Sequence, residues 1–139
     1  MSFNKNAAGV LIAAAPTGRV LLALRSAHVR SPGTWGAPGG GIDRGETAEE
    51  AAAREVWEEA GIDVDPDDLE LLHQQTKKGG GLYTTFLLVI DRELRPRLND
   101  ESDAYGWFHP TKKDLPRPLH PGARRLFEEV DVQAAIDDW

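Results

Sequence analysis

The sequence predicts an α/β fold, a mixed β-sheet with helices packed on it, and three observations carry that prediction. Apolar runs of strand length recur at residues 7–15, 19–25, 69–76, 82–90 and 104–109, bounded by Gly, Pro, Asn or Asp. Between the second and third of them, "TAEEAAAREVWEEA" at 47–60 consists almost entirely of strong helix formers. A second helical pattern begins near Pro121. The resulting order, β-β-helix-β-β-β-helix, suits a mixed sheet covered by helices.

Taken in order, "AAGVLIAAA" and "RVLLALR" are separated by "PTG", a turn signal, and form a strand pair. A short Ala-rich run behind one lysine resembles a leader, but the partner strand that follows makes it part of the fold. "SAHVRSPGTWGAPGGG" has no helical period and reads as a loop, with Trp35 able to start a short strand. Thr47 with Glu50 three residues on makes a capping box, and Gly61 closes the helix. On a helical wheel Ala53, Val56, Trp57 and Ala60 form the expected core arc, whereas Glu55, Glu58 and Glu59 cluster elsewhere. After the polar turn "DVDPDD", "LELLHQQT" and "LYTTFLLVI" make a hairpin across the basic loop "KKGGG". "RELRPRLNDESD" is irregular, "AYGWFH" is a short aromatic strand, and a Pro-punctuated loop leads to the C-terminal helix. Neither a repeat nor a linker divides the 139 residues, so one domain over 1–139 is expected.

The net charge of −7 argues against binding a nucleic-acid polymer or an anionic membrane through a basic surface. It leaves room for small phosphorylated ligands if divalent cations stand between the two sets of negative charge. There is no cysteine, which excludes disulfides and thiolate metal sites, and a cytoplasmic location is the default expectation. The longest strongly apolar segment, "FLLVI", is far too short to cross a bilayer.

The helix places its acids where helix physics disfavours them. Glu55 and Glu59 are like charges four apart, a penalty of roughly 0.2–0.5 kcal/mol. Glu58 and Glu59 sit at the negative end of the macrodipole, at roughly 0.3–1 kcal/mol each. A solvated acidic face is the usual meaning of such a run. The Gly-rich loop at 39–41 just before the helix offers a second reading: carboxylates at i, i+3 and i+4 on a rigid helix, beside exposed backbone, supply the oxygen ligands that Mg²⁺ or Mn²⁺ prefers.

These residues together resemble a family signature. Gly40, five residues, Glu46, seven residues, then Arg54-Glu55, apolar Val56, any residue, Glu58-Glu59, any residue, Gly61 and apolar Ile62 match a complete Nudix box, the mark of the Nudix (MutT-like) hydrolases. The resemblance implies an α/β/α sandwich and a Mg²⁺- or Mn²⁺-dependent hydrolase. Such an enzyme cleaves a phosphoanhydride bond in a nucleoside diphosphate linked to another group, X, nucleoside triphosphates (oxidised ones included) among them. Carried over by residue, it makes Glu55, Glu58 and Glu59 metal ligands, with Glu55 able to help deprotonate the attacking water. A backbone carbonyl at Gly39 or Gly40 completes the shell. Arg54 becomes an orienting partner of Glu46 or Glu58, and Glu46 a tie between loop and helix. A further acid from outside the box is expected, with Glu101 the candidate and Asp100 and Asp103 its competitors.

Outside the box, Arg25 and Tyr83 are the candidates for substrate contact. Arg25 ends a strand before the glycine loop, and phosphate clamp and ordinary surface base stand level for it. Tyr83, like Trp35, Phe3 and Trp107, has a face able to stack on a base, although core packing or a subunit contact is the commoner fate of such rings. Lys77 and Lys78 read as solvated hairpin residues, and His28 and Arg30 as surface residues. His73, His109 and His120 have no zinc-ligand spacing. The alternative to hydrolysis is a nucleotide-sensing module of the same fold, which an intact set of acids disfavours. A prenyl-diphosphate isomerase would be expected to need a cysteine, and there is none. Homodimers are common among small enzymes, and the aromatic C-terminal half offers a contact surface for one.

Overall fold

The structure is a computed structural model and describes residues 5–139; Phe3, one of the stacking candidates, lies outside the described residues. Its strands are β1 (Ala7–Ala14), β2 (Arg19–Arg25), β3 (Trp35–Gly36), β4 (Gly39–Gly41), β5 (Glu70–Thr76), β6 (Leu82–Ile90) and β7 (Ser102–Phe108). Its helices are α1 (Ala48–Ala60), α2 (Pro121–Glu129) and α3 (Val132–Asp137). The "PGGG" segment, expected as loop, contributes strand β4, and the expected single C-terminal helix is two. Asp131 caps α3 through its side chain, accepting from the Ala134 N–H, so the second helix has its own start signal.

β1 organises the sheet. It runs parallel to β6 along its whole length, from Ala7 opposite Tyr83 to Ala14 opposite Ile90. Its other edge is shared: the C-terminal end pairs antiparallel with β2, and Ala7–Gly9 pair antiparallel with Gly41–Gly39 of β4. β2 continues to β3 and β7, while β5 closes the opposite edge beside β6. The sheet is therefore mixed, as expected.

Every residue of β1 is buried, which is why it reads as a continuous apolar run rather than an alternating one. Its side chains still divide with period two. Ala8, Val10 and Ile12 pack with Val56 and Ala52 of α1, whereas Leu11 and Ala13 pack with Leu126 of α2 and Val132 and Ile136 of α3. Helices thus cover both faces, an α/β/α sandwich. Among the described residues no helix is long and apolar enough to cross a membrane.

One expectation about α1 is corrected. Trp57, assigned to the core, is 56% exposed; the buried residues are Ala51, Ala52, Ala53, Val56 and Ala60. At about 100° per residue, Ala52, Val56, Ala60 and Ala53 span an arc of about 100°, with Trp57 some 40° outside it on the Ala53 side. Glu59 lies about 20° beyond Ala52 on the other side, between it and the equally buried Ala51. The helix is rolled towards its acids, and that roll carries Glu59 to the edge of the core.

Candidate metal and diphosphate site

The loop before α1 and the start of α1 are fixed by reciprocal hydrogen bonds. Thr47 Oγ1 accepts from the Glu50 N–H (3.1 Å) and Glu50 Oε1 accepts from the Thr47 N–H (2.9 Å), the capping box the sequence calls for. At the other end Gly61 takes φ +67° and donates to Trp57 O, a left-handed closure that favours glycine.

Arg54 is the hub that joins loop and helix. Its Nε donates to Glu46 Oε2 (2.7 Å) and its Nη2 to Glu46 Oε1 (3.0 Å), a two-pronged pair. Nη2 also reaches Gly41 O (3.0 Å), and Nη1 reaches Glu55 Oε1 and Glu58 Oε1, both at 3.0 Å. Glu46 in turn accepts from the Asp43 N–H (2.8 Å). The hydrogen bonds from Arg54, then that from Asp43, hold the Glu46 carboxyl down at a pKa of about 2. The reciprocal bond from Glu46 raises the Arg54 guanidinium further above its ordinary value. Both roles expected of this pair, orientation and a loop-to-helix tie, have a geometric basis.

The acids fall into two groups. Glu55 and Glu59 are neighbours, and Glu55 and Glu101 both act electrostatically on the Glu59 carboxyl. Glu59 Oε2 accepts from the Gly39 N–H (3.1 Å). Its pKa is raised, chiefly by burial, then by Glu55 and the charge of Glu101; the Gly39 N–H opposes the shift. Glu58 stands apart, 44% exposed, drawn to Arg54. Among the described residues no three of Asp, Glu and His stand close enough to enclose an ion as they are.

Gly40 is a glycine because of Glu55: a Cβ there would lie 2.6 Å from the Glu55 carboxyl carbon. A Cβ at Gly39 would collide with the Tyr83 hydroxyl and, at 2.8 Å, with Ala8 O. The β4 backbone therefore lies directly against the acids. Tyr83 is half-buried with its hydroxyl packed over Gly9 and Gly39; desolvation, then Glu59, raises its pKa. It props β4 as well as lining a cavity, where the sequence suggested base stacking. Trp35 stacks edge-on to Phe108 (5.4 Å between ring centroids) and Trp107 donates to Leu94 O (3.0 Å), so both are packing residues.

Asp100 and Asp103 are exposed, whereas Glu101 lines the cavity with Glu59. The agent is Asn99, a residue the sequence reading missed. Its Nδ2 donates to Glu101 Oε2 and to Glu58 O, both at 3.0 Å, and its Oδ1 accepts from the Glu101 N–H (3.0 Å). The signal was present in "LNDES", an Asn whose side chain bonds its own backbone two residues on.

Two cavities meet at β4. One, about 190 Å³, is lined by Glu59, Glu101, Arg25, Gly39, Gly40 and Tyr105 among others. The second, about 700 Å³, lies towards α2 and shares Arg25, Gly36, Ala37, Gly39 and Gly40 with the first. Arg25 is thus placed at the junction, its Nε held by Arg30 O (2.6 Å).

The model of the NUDIX domain matches residues 4–134. A MutT-like protein of Streptomyces ambofaciens is 36% identical over 116 residues, covering 80% of this chain and 68% of that protein. An NAD-capped RNA hydrolase, NudC, of Chromobacterium violaceum is 36% identical over 117 residues, covering 82% of this chain but only 43% of that one. Among solved structures, a MutT NUDIX hydrolase from Burkholderia pseudomallei superposes with a TM-score of 0.74 at 30% identity, over 93% of this chain and 99% of its own. A family model spanning nearly the whole chain, a relative matched over most of its length and a shared fold agree: the chain belongs to the Nudix hydrolase family.

Proposed function

We propose that this domain hydrolyses a phosphoanhydride bond in a nucleoside diphosphate linked to a group X, with Mg²⁺ or Mn²⁺ held by Glu55, Glu59, Glu101 and the backbone at Gly39–Gly40. The observation that supports this most is the placement of Glu59, a buried carboxyl that faces one cavity with Glu101 and lies against the Gly39 backbone; burial, then Glu55 and Glu101, raises its pKa. Arg54 holds Glu55 and Asn99 holds Glu101, but the buried Glu59 carboxyl between them accepts only from the Gly39 N–H, and burying a carboxylate so sparsely partnered is costly. A hard divalent ion completes it, since oxygen donors are what such ions take. Glu58 joins that set if Arg54 releases it.

The bound ion would polarise phosphoryl oxygens and lower the pKa of the attacking water. The residues of the chain do the rest. Water oxygen forms a bond to one phosphorus of the diphosphate, the bridging P–O bond breaks, and the water proton passes to a carboxylate, with Glu55 placed for it. The products are a nucleoside monophosphate and phosphate-X, or pyrophosphate from a triphosphate. Arg54 and Asn99 act through others, the first holding Glu55 and Glu58 and the second holding Glu101.

The test is release of monophosphate or phosphate over a panel of nucleoside triphosphates, ADP-ribose, sugar nucleotides and dinucleoside polyphosphates with Mg²⁺. Turnover of at least one that stops on chelation supports the reading. Tight binding of one without turnover of any would establish a binding module instead.

A further inference from the structure

The larger cavity has an unusual electrostatic character for this protein. The chain has 23 Asp and Glu against 16 Lys and Arg. Yet the lining of the 700 Å³ space includes Lys5, Arg25, Arg30, Lys77 and Lys78, and no Asp or Glu at all. Lys5 is engaged by Asp43 (3.0 Å). Arg25, Arg30, Lys77 and Lys78 have no carboxylate partner among the described residues. The adjoining hollow beyond Gln75 and Pro121 shares Lys77 and Lys78, and adds Arg124, Arg125 (paired with Glu129 at 2.8 Å) and one acid, Glu128. The acid-free space opens through Arg25 and β4 onto the acids.

We propose that the substrate carries at least one phosphate beyond the diphosphate that is cleaved, and that Arg30, Lys77 and Lys78 bind it. The inference rests on the hydrolase reading above and names the class of substrate. An ion at Glu55, Glu59 and Glu101 would meet the scissile diphosphate at the smaller cavity, whereas Arg30, Lys77 and Lys78 line the larger one and not the smaller, so they are placed for an anion further along the substrate. A cavity of this size accepts a nucleoside- or sugar-sized group. Its apolar floor at Leu126 and Phe127 suits the body of that group, and unpaired cations at its rim suit a second anion. Lys77 already bridges back to Lys5 O, which sets the loop between β5 and β6 over the opening.

Three substrates separate the possibilities, compared with Mg²⁺ present: ADP-ribose, which has no further phosphate; diadenosine tetraphosphate, with extra phosphates in the chain; and coenzyme A, with one on a ribose. The wild-type protein is expected to favour one of the latter two over ADP-ribose by tenfold or more in kcat/KM. The one favoured tells whether the extra phosphate is in the chain or on the ribose. Arg30 and Lys78 are exposed, so the double variant R30Q/K78Q keeps its fold. It is expected to reduce that preference by roughly tenfold or more, the value of a lost hydrogen bond to a charged group. In EDTA, inorganic tripolyphosphate should bind the wild type by calorimetry and the double variant at least tenfold more weakly. A preference for ADP-ribose, or a preference the variant leaves intact, would overturn the proposal. If no substrate is turned over, the hydrolase reading fails, and tripolyphosphate binding equal in wild type and variant would then overturn this inference as well.

Discussion

Glu59 has the most informative surroundings of any side chain in the molecule. Burial and two neighbouring carboxyls raise its pKa above the ordinary 4.5. The folded, metal-free protein therefore holds a proton there that the unfolded chain gives up. Stability from a raised carboxyl is complete below the unfolded value and is lost as pH rises towards the folded one. In EDTA, Tm is expected to fall between about pH 5 and pH 9, and Glu59→Gln to flatten that fall. A steeper fall in the variant would contradict the assignment. With Mg²⁺, the same variant is expected to lose on the order of 10²–10³ in kcat while keeping its circular dichroism. Arg54→Lys keeps the charge but not the fork that grips Glu46, and is expected to lower kcat about 10–100-fold. Equal activity would mean that the network around Arg54 serves stability alone.

On the scale of one element, α1 shows which parts of the sequence were legible. The capping box and Gly61 follow from local rules, because each involves residues three or four apart on one helix, whereas the core and acidic arcs expected to be distinct overlap: Glu55 and Glu59 fall between the buried Ala51 and Ala52. The roll of the helix did not follow, since Trp57 and Glu59 flank the arc on opposite sides and hydrophobicity alone chose the tryptophan. What decides is the sheet: Gly39, Gly40 and Glu101 offer Glu59 a place at the core edge, and they lie 19 or more residues from it. The corrected roll has a direct check. Val56→Ala removes buried methyl groups and is expected to cost roughly 2 kcal/mol. Trp57→Ala is expected to change stability by less than about 0.5 kcal/mol. Denaturant titration of both decides, and a larger loss at Trp57 would restore the original assignment. Gly40→Ala is expected to displace the Glu55 carboxyl and reduce activity before it affects folding, because the obstructed atoms are the end of a flexible side chain.

Across the whole molecule, negative and positive functions are separated by the β4 strand, with acids on the α1 side and cations on the α2 side. The sandwich was legible in the order of apolar runs. The parallel pairing of β1 with β6, 76 residues on, was not, nor was the share of β1's other edge taken by β4, because pairing over such separations leaves no local pattern. The same limit explains the lysines: Lys77 and Lys78 look like any hairpin residues until the fold brings Arg25 and Arg30 to the same cavity. Because the ion would bind only the folded state, Mg²⁺ at a hundred times its Kd is expected to add about 2.7 kcal/mol of stability, seen as a rise in Tm that Glu59→Gln abolishes. The most direct test of the central claim is a crystal soaked in Mn²⁺ and measured for anomalous scattering. The peak is expected between the carboxylates of Glu55, Glu59 and Glu101, against the backbone of Gly39–Gly40. A peak elsewhere, or none in crystals of protein that is active with Mn²⁺, would contradict it.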